Sequence, residues 1–175
     1  MSHQFQFVTV GKLSPYWIVA RLSGAPLPHP VLVACVYIPN GTKHSSVMQH
    51  FEQQINQVHV LYPNDPITLL GDFNKDLHKM QLWFSTWPIQ MQVLVNGGNV
   101  PTGRSRRSRQ GRTVDHIVTH GVSIPVTPPW VLDSWDMSDH YPLVVTLPVG
   151  YRQVRNHVPA TGVADPITKT WIREL

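Results

Sequence analysis

Val31-Leu32-Val33-Ala34-Cys35-Val36-Tyr37-Ile38 is an unbroken β-branched and apolar run that stops at Pro39-Asn40-Gly41. Its length, composition and abrupt polar end predict a strand buried on both faces, with Tyr37 and Asn40 at its carboxyl end. From Ser46 the period changes. Val47, Phe51, Ile55, Val58 and Leu61 follow one face of a helix, Ser46 and Gln49 fit a capping box, and Pro63 stops the pattern. A second apolar strand, Ile67 to Leu70, runs into Gly71-Asp72-Phe73-Asn74. Another helical pattern then passes through Leu77, Met80, Trp83, Phe84 and Trp87 to Pro88. Strand, helix, strand, helix is an α/β rhythm.

Outward from this centre the chain is strand-rich. Tyr16 to Leu22 precedes it, and Met91 to Val95, Thr113 to Thr119, Val122 to Val126 and Leu143 to Leu147 follow, separated by glycine, proline and serine. Residues 1–148 form the expected domain. Residues 149–175 lack periodicity and are expected to be a C-terminal tail.

The 175 residues, 42% hydrophobic and only 14% charged, suit one globular domain and exclude disorder throughout. A single cysteine, Cys35, excludes a disulfide framework or a multi-cysteine zinc site within this chain and favours a reduced, intracellular protein. Eight apolar residues are too few for a membrane span, which needs about 20, and the amino terminus has no pattern of a secretory signal. The net charge of +4 is local: Arg104, Arg106, Arg107, Arg109 and Arg112 fall within nine residues, and without them 9 of the 14 basic residues face 10 acidic ones. Electrostatic attraction to nucleic acid is therefore expected to be concentrated in that segment, as an arm clamping phosphates. A localisation or RNA-binding signal and a solvated loop are the competing readings. The basic run permits a nuclear location.

Three polar clusters end or interrupt hydrophobic runs: Gly71-Asp72-Phe73-Asn74, Thr113-Val114-Asp115-His116-Ile117 and Ser138-Asp139-His140-Tyr141-Pro142-Leu143. Singly, each has a plain structural reading. Asp72 and Asn74 would make an Asx turn, Asp115 would pair with an arginine, and Ser138-Asp139 would cap a helix. Together they supply three carboxylates, an amide and an imidazole, an inventory suited to metal-assisted hydrolysis of phosphate esters. His116 and His120 have the four-residue spacing of a zinc pair on a helix, but their segment is β-rich. The other histidines are scattered, and Trp135 is a candidate for a substrate surface.

These motifs, in this order, resemble the endonuclease/exonuclease/phosphatase superfamily, which includes apurinic endonucleases and the endonuclease domains of non-LTR retrotransposons. Val36 to Asn40 is similar to its tyrosine motif, Gly71 to Asn74 to its GDxN motif, Val114 to Ile117 to its penultimate aspartate motif and Ser138 to His140 to its terminal SDH. The resemblance implies a partial four-layer α/β/β/α sandwich and a Mg2+- or Mn2+-dependent phosphodiester hydrolase, most simply an endonuclease acting on DNA. It implies that His140 contacts the scissile phosphate and Asp115 orients it. By the same resemblance Asp72 prepares the attacking water and serves the metal with Asp139, Asn74 holds phosphate and water geometry, and Tyr37 and Asn40 contact the phosphate. The family's opening Asn strand and glutamate-ended strand have no counterpart here, since Glu52 and Glu174 are the only glutamates. The expectation is a truncated domain with its opening strands missing, binding Mg2+ weakly and inviting a dimer or a complementing chain. An inactive nucleic-acid-binding remnant and a phosphatase are the alternatives.

Overall fold

The structure is a computed structural model, and it describes residues 5–24, 27–96, 100–103, 111–122, 127–132 and 138–147. Its centre is a six-stranded sheet in the order β1-β2-β3-β4-β6-β5. The strands are β1 (Phe5–Thr9), β2 (Trp17–Gly24), β3 (Val31–Tyr37), β4 (Ile67–Asp72), β5 (Gln92–Leu94) and β6 (Asp115–His120). Helix α1 (His44–Leu61) makes the crossover between the parallel neighbours β3 and β4, and α2 (Leu77–Ser85) follows β4. The other pairings in the sheet are antiparallel. Among the described residues a second sheet holds β7 (Trp130–Val131) and β8 (Leu143–Val144).

One face of the large sheet carries the core. Leu32, Ala34 and Val36 of β3, Ile67 and Leu69 of β4, and Val118 of β6 join Phe51, Ile55 and Val58 of α1 and Met80 and Phe84 of α2 in a single buried cluster. Each fully buried side chain of this size contributes about 1.5–3 kcal/mol. The aromatic stripe of α2 closes the cluster: Phe84 meets Trp87 with ring centroids 4.6 Å apart, and Phe73, just past β4, meets Phe84 at 6.2 Å.

The opposite face is unequal. Thr68, Ile117, Thr119 and Leu94 are buried, whereas Phe7, Ile18, Cys35 and Tyr37 on β1, β2 and β3 are exposed. The expectation that β3 is buried on both faces is corrected accordingly. Its residues alternate, because α1 and α2 cover only one side of the sheet and Cys35 lies on the other.

Two helix details also differ from the expectation. The capping box at Ser46 does not form. The helix starts two residues earlier, at His44 after Lys43, once the His44 amide donates to Gly41 O, and the Ser46 hydroxyl turns back to Lys43 O at 3.3 Å. Leu61 is 69% exposed, because the buried stripe of α1 ends at Val58 and Tyr62 already caps the helix. Helix α2 is capped by Asp76, which accepts the Lys79 amide at 3.0 Å. β1, not foreseen from the sequence, pairs along β2 with all five residues exposed. The proposed strand at Val122–Val126 falls mainly on residues 123–126, and the proposed tail on 149–175; both lie outside the described residues.

Candidate active site

Three strand ends meet at one corner of the sheet. In the parallel β3–β4 register Tyr37 stands beside Asp72, and in the antiparallel β4–β6 register Asp72 stands beside Asp115. The approach depends on Gly71. Its φ is 144°, and a Cβ there would lie 1.9 Å from Val36 O, so only glycine lets β4 press this closely on β3.

Beyond Gly71 the chain folds back on itself. Asn74 takes a left-handed backbone, φ 52°, which asparagine tolerates. Its amide donates to Asp72 Oδ1 at 2.8 Å, the Asx turn that the local sequence suggested, but the interactions continue. Asn74 Nδ2 also donates to Asp72 Oδ2 at 3.1 Å and to Ile38 O at 2.9 Å, while Asn40 Nδ2 donates to Asn74 Oδ1 at 2.7 Å. Asn40 and Asn74, 34 residues apart, thus brace the loop ends after β3 and β4 against each other.

His140 reaches this corner from the loop before β8. Its Nδ1 donates to Asp115 Oδ2 at 2.8 Å, and its Nε2 lies 4.0 Å from Asp72 Oδ2. Both carboxylates and the imidazole are partly buried, with side-chain exposures of 16%, 17% and 35% for Asp72, Asp115 and His140. Burial, the largest influence on His140, disfavours its charged form. The Asp115 hydrogen bond and the charges of Asp115, Asp72 and Asp139 outweigh it, and the imidazole pKa is raised. Burial likewise raises the Asp72 pKa, with Asp115 adding to the effect. The Asn74 amide and the charges of His140 and Arg112 oppose it without cancelling it.

Thr102 was not foreseen from the sequence. It is completely buried, and its Oγ1 accepts the amides of Val114 at 3.1 Å and Asp115 at 3.0 Å, fixing the start of β6. Thr102 O accepts the Tyr141 amide at 2.7 Å, and Gly103 bridges both Arg112 and His140. The two ends of the arginine-rich segment, Gly103 and Arg112, are therefore paired beside His140. Arg104, Arg106, Arg107 and Arg109 lie outside the described residues, as does Trp135.

Tyr37 is half exposed at the end of β3. Asp139 is exposed, and its carboxylate accepts the Ser138 hydroxyl at 3.4 Å. His116 belongs to the packing: it is buried, its Nε2 lies 2.7 Å from Lys75 O, and its ring meets Phe73. His120 contacts Gln90 O through Nδ1 and stacks edge-on with His59.

No family model matches the sequence, and no curated protein matches it significantly. Solved structures do match. The chain is similar to the endonuclease domain of TRAS1, a telomere-specific non-LTR retrotransposon, with 13% identity and TM-score 0.55 over 78% of this chain and 65% of that one. It is similar to truncated TDP2 of Caenorhabditis elegans, with 11% identity and TM-score 0.54 over 81% of this chain and 64% of that one. A third match, at 16% identity and TM-score 0.53, is an endonuclease/exonuclease/phosphatase family protein from Bacteroides thetaiotaomicron, over 75% of this chain and 54% of that one. The chain spans less than two thirds of each. Identities this low establish the fold alone: this chain has the endonuclease/exonuclease/phosphatase fold over part of its length.

Proposed function

We propose that the chain forms the phosphate-facing part of a phosphodiester hydrolase that acts on nucleic acid, with DNA the preferred substrate. The observation that carries this reading is the line Asp115–His140–Asp72, with a 2.8 Å hydrogen bond on one side of the imidazole and a 4.0 Å gap on the other. One carboxylate orients the ring and favours its charged form, while the opposite nitrogen faces a second carboxylate 4.0 Å away.

In this reading the scissile phosphate lies against His140 Nε2, which donates to a non-bridging oxygen as negative charge gathers there. Asp72 accepts the proton of the attacking water. The water oxygen bonds to phosphorus, the bond to the departing nucleoside oxygen breaks, and that oxygen takes up a proton from solvent water. Burial raises the Asp72 pKa, which makes its carboxylate a better base than an exposed one. Asn74, braced by Asn40, holds Asp72 in place, and Tyr37 and Asn40 flank the phosphate. Arg112 and the arginine segment neutralise neighbouring phosphates without reading bases.

Mg2+ or Mn2+ is the cofactor that this reading calls for, offsetting phosphoryl charge. The described residues do not by themselves fit a resident ion. Among them no group of three or more His, Cys, Asp or Glu side chains is disposed to hold a metal. Asp115 is engaged by His140, and Asp72 alone supplies too little of the near-octahedral oxygen ligation that Mg2+ demands. The same observation favours one second reading, a nucleic-acid-binding remnant without turnover.

Cleavage of an end-labelled duplex and release of inorganic phosphate, each measured in Mg2+ and in Mn2+, separate these readings. Strand cleavage lost in both Asp72→Ala and His140→Ala supports the proposal. Phosphate release without strand cleavage points to a phosphatase, and tight binding without either product points to the remnant.

A further inference from the structure

A cavity of about 570 Å³ lies between α1 and the segment from Lys12 to Trp17 that leads into β2. It falls within the size range of about 300–1,000 Å³ typical of small-ligand sites. Lys12 and Lys43 line it, and among the described residues no carboxylate does, so its field favours an anion. The first turn of α1 strengthens this preference, since it contains no acidic residue and its N-cap Lys43 makes no side-chain capping bond. Tyr16 and Trp17 supply ring surface, and Gln53 and Gln57 supply free-standing amide groups along the exposed side of α1. Trp17 is held against Phe51 at a centroid distance of 5.5 Å, and its indole N–H is buried with no hydrogen-bond partner among the described residues.

Cations, fixed rings and amides in one cavity match the three parts of a nucleotide: phosphate, base face and base edge. We propose that this groove binds a nucleotide of a single-stranded nucleic acid, the strand segment that flanks the reacting phosphate. The placement fits. Lys43 is three residues beyond Asn40, whose side chain is bonded to the Asp72–Asn74 cluster, and three residues span at most about 11 Å. The proposal rests on the hydrolase reading for the identity of the strand but not for the groove's capacity to bind it.

The test uses the full chain in EDTA, with fluorescence anisotropy of end-labelled tetranucleotides of DNA and of RNA of one sequence. The DNA strand is expected to bind the tighter of the two, as the hydrolase reading requires. Lys12→Gln combined with Lys43→Gln should weaken binding about 10-fold and reduce the salt slope by about 1.4, the value for two single-strand phosphates. Tyr16→Leu should cost about 5-fold or more, the lower bound for one stacked base. Lys12 and Lys43 are exposed, so their substitution tests binding without endangering the fold. Unchanged affinity and salt slope in the double variant, or equally good competition by polyglutamate, would overturn the proposal. Cleavage intact with binding indifferent to these lysines would remove the groove and leave the hydrolase. Binding dependent on them without cleavage in any metal would do the reverse.

Discussion

Asp115→Asn changes one atom type and removes one charge, and its consequences can be followed from the 2.8 Å contact with His140 Nδ1. A hydrogen bond to an ionised partner is worth about 1.5–3 kcal/mol. If that stabilisation is lost wherever His140 must be charged, turnover falls about 10- to 160-fold. The same change predicts an effect independent of activity. The folded-state pKa of His140 is raised, so the stabilisation from this pair is complete below the unfolded value of about 6.5 and fades as pH rises through the folded value. Urea unfolding of the native and Asp115→Asn chains should therefore show a larger stability gap at pH 5.5 than at pH 8.5. An NMR titration of the His140 ring should show its midpoint lowered in the variant. A midpoint that does not move, with a stability gap independent of pH, would refute the pairing on which the site reading rests.

Further outcomes follow from neighbouring residues. Gly71→Ala places a Cβ 1.9 Å from Val36 O at a φ of 144°; it should cost at least the ~1–3 kcal/mol of such backbone strain, measured as a drop in urea midpoint. Thr102→Val leaves the Val114 and Asp115 amides without their acceptor and should cost about 1–3 kcal/mol for each buried donor, whereas Thr102→Ser should stay close to the native chain in thermal melts. Replacing Arg104, Arg106, Arg107, Arg109 and Arg112 by Ser should weaken binding to duplexes of any sequence by a similar factor and flatten the salt dependence, read by anisotropy across a salt series. An unchanged slope would make the segment an uninvolved loop.

The strand ends that build the site were legible because each carries a sharp change of chemistry. Ile38-Pro39-Asn40 and Leu70-Gly71-Asp72 pass from apolar to polar within three residues, and buried β3 and β4 positions precede them. The helices were legible through their buried stripes and their proline stops. β1 was not, because all five of its residues are exposed and an edge strand paired on one side leaves no alternation of burial to read. β7 and β8, two residues each, are too short for any period. The capping box failed because Ser46 and Gln49 have the right spacing but the wrong register. The helix had already begun at His44 through a backbone turn from Gly41. Thr102 escaped notice for another reason: it works through one hydroxyl on two backbone amides, a role with no sequence period, and only its place between Pro101 and Gly103 hinted at a fixed turn. The 2.8 Å approach of His140 to Asp115 joins residues 25 apart, and it was reachable only through the resemblance of the two motifs to a known family.

The central claim is that Asp115 and His140 act as one unit facing Asp72. A double-mutant cycle on the single-turnover cleavage rate, comparing Asp115→Asn, His140→Gln and the two combined, tests it most directly. The account predicts that the double variant is about as slow as His140→Gln alone, because Asp115 works only through the imidazole it holds. Losses that multiply independently, or a His140→Gln chain that cleaves at the native rate, would contradict it.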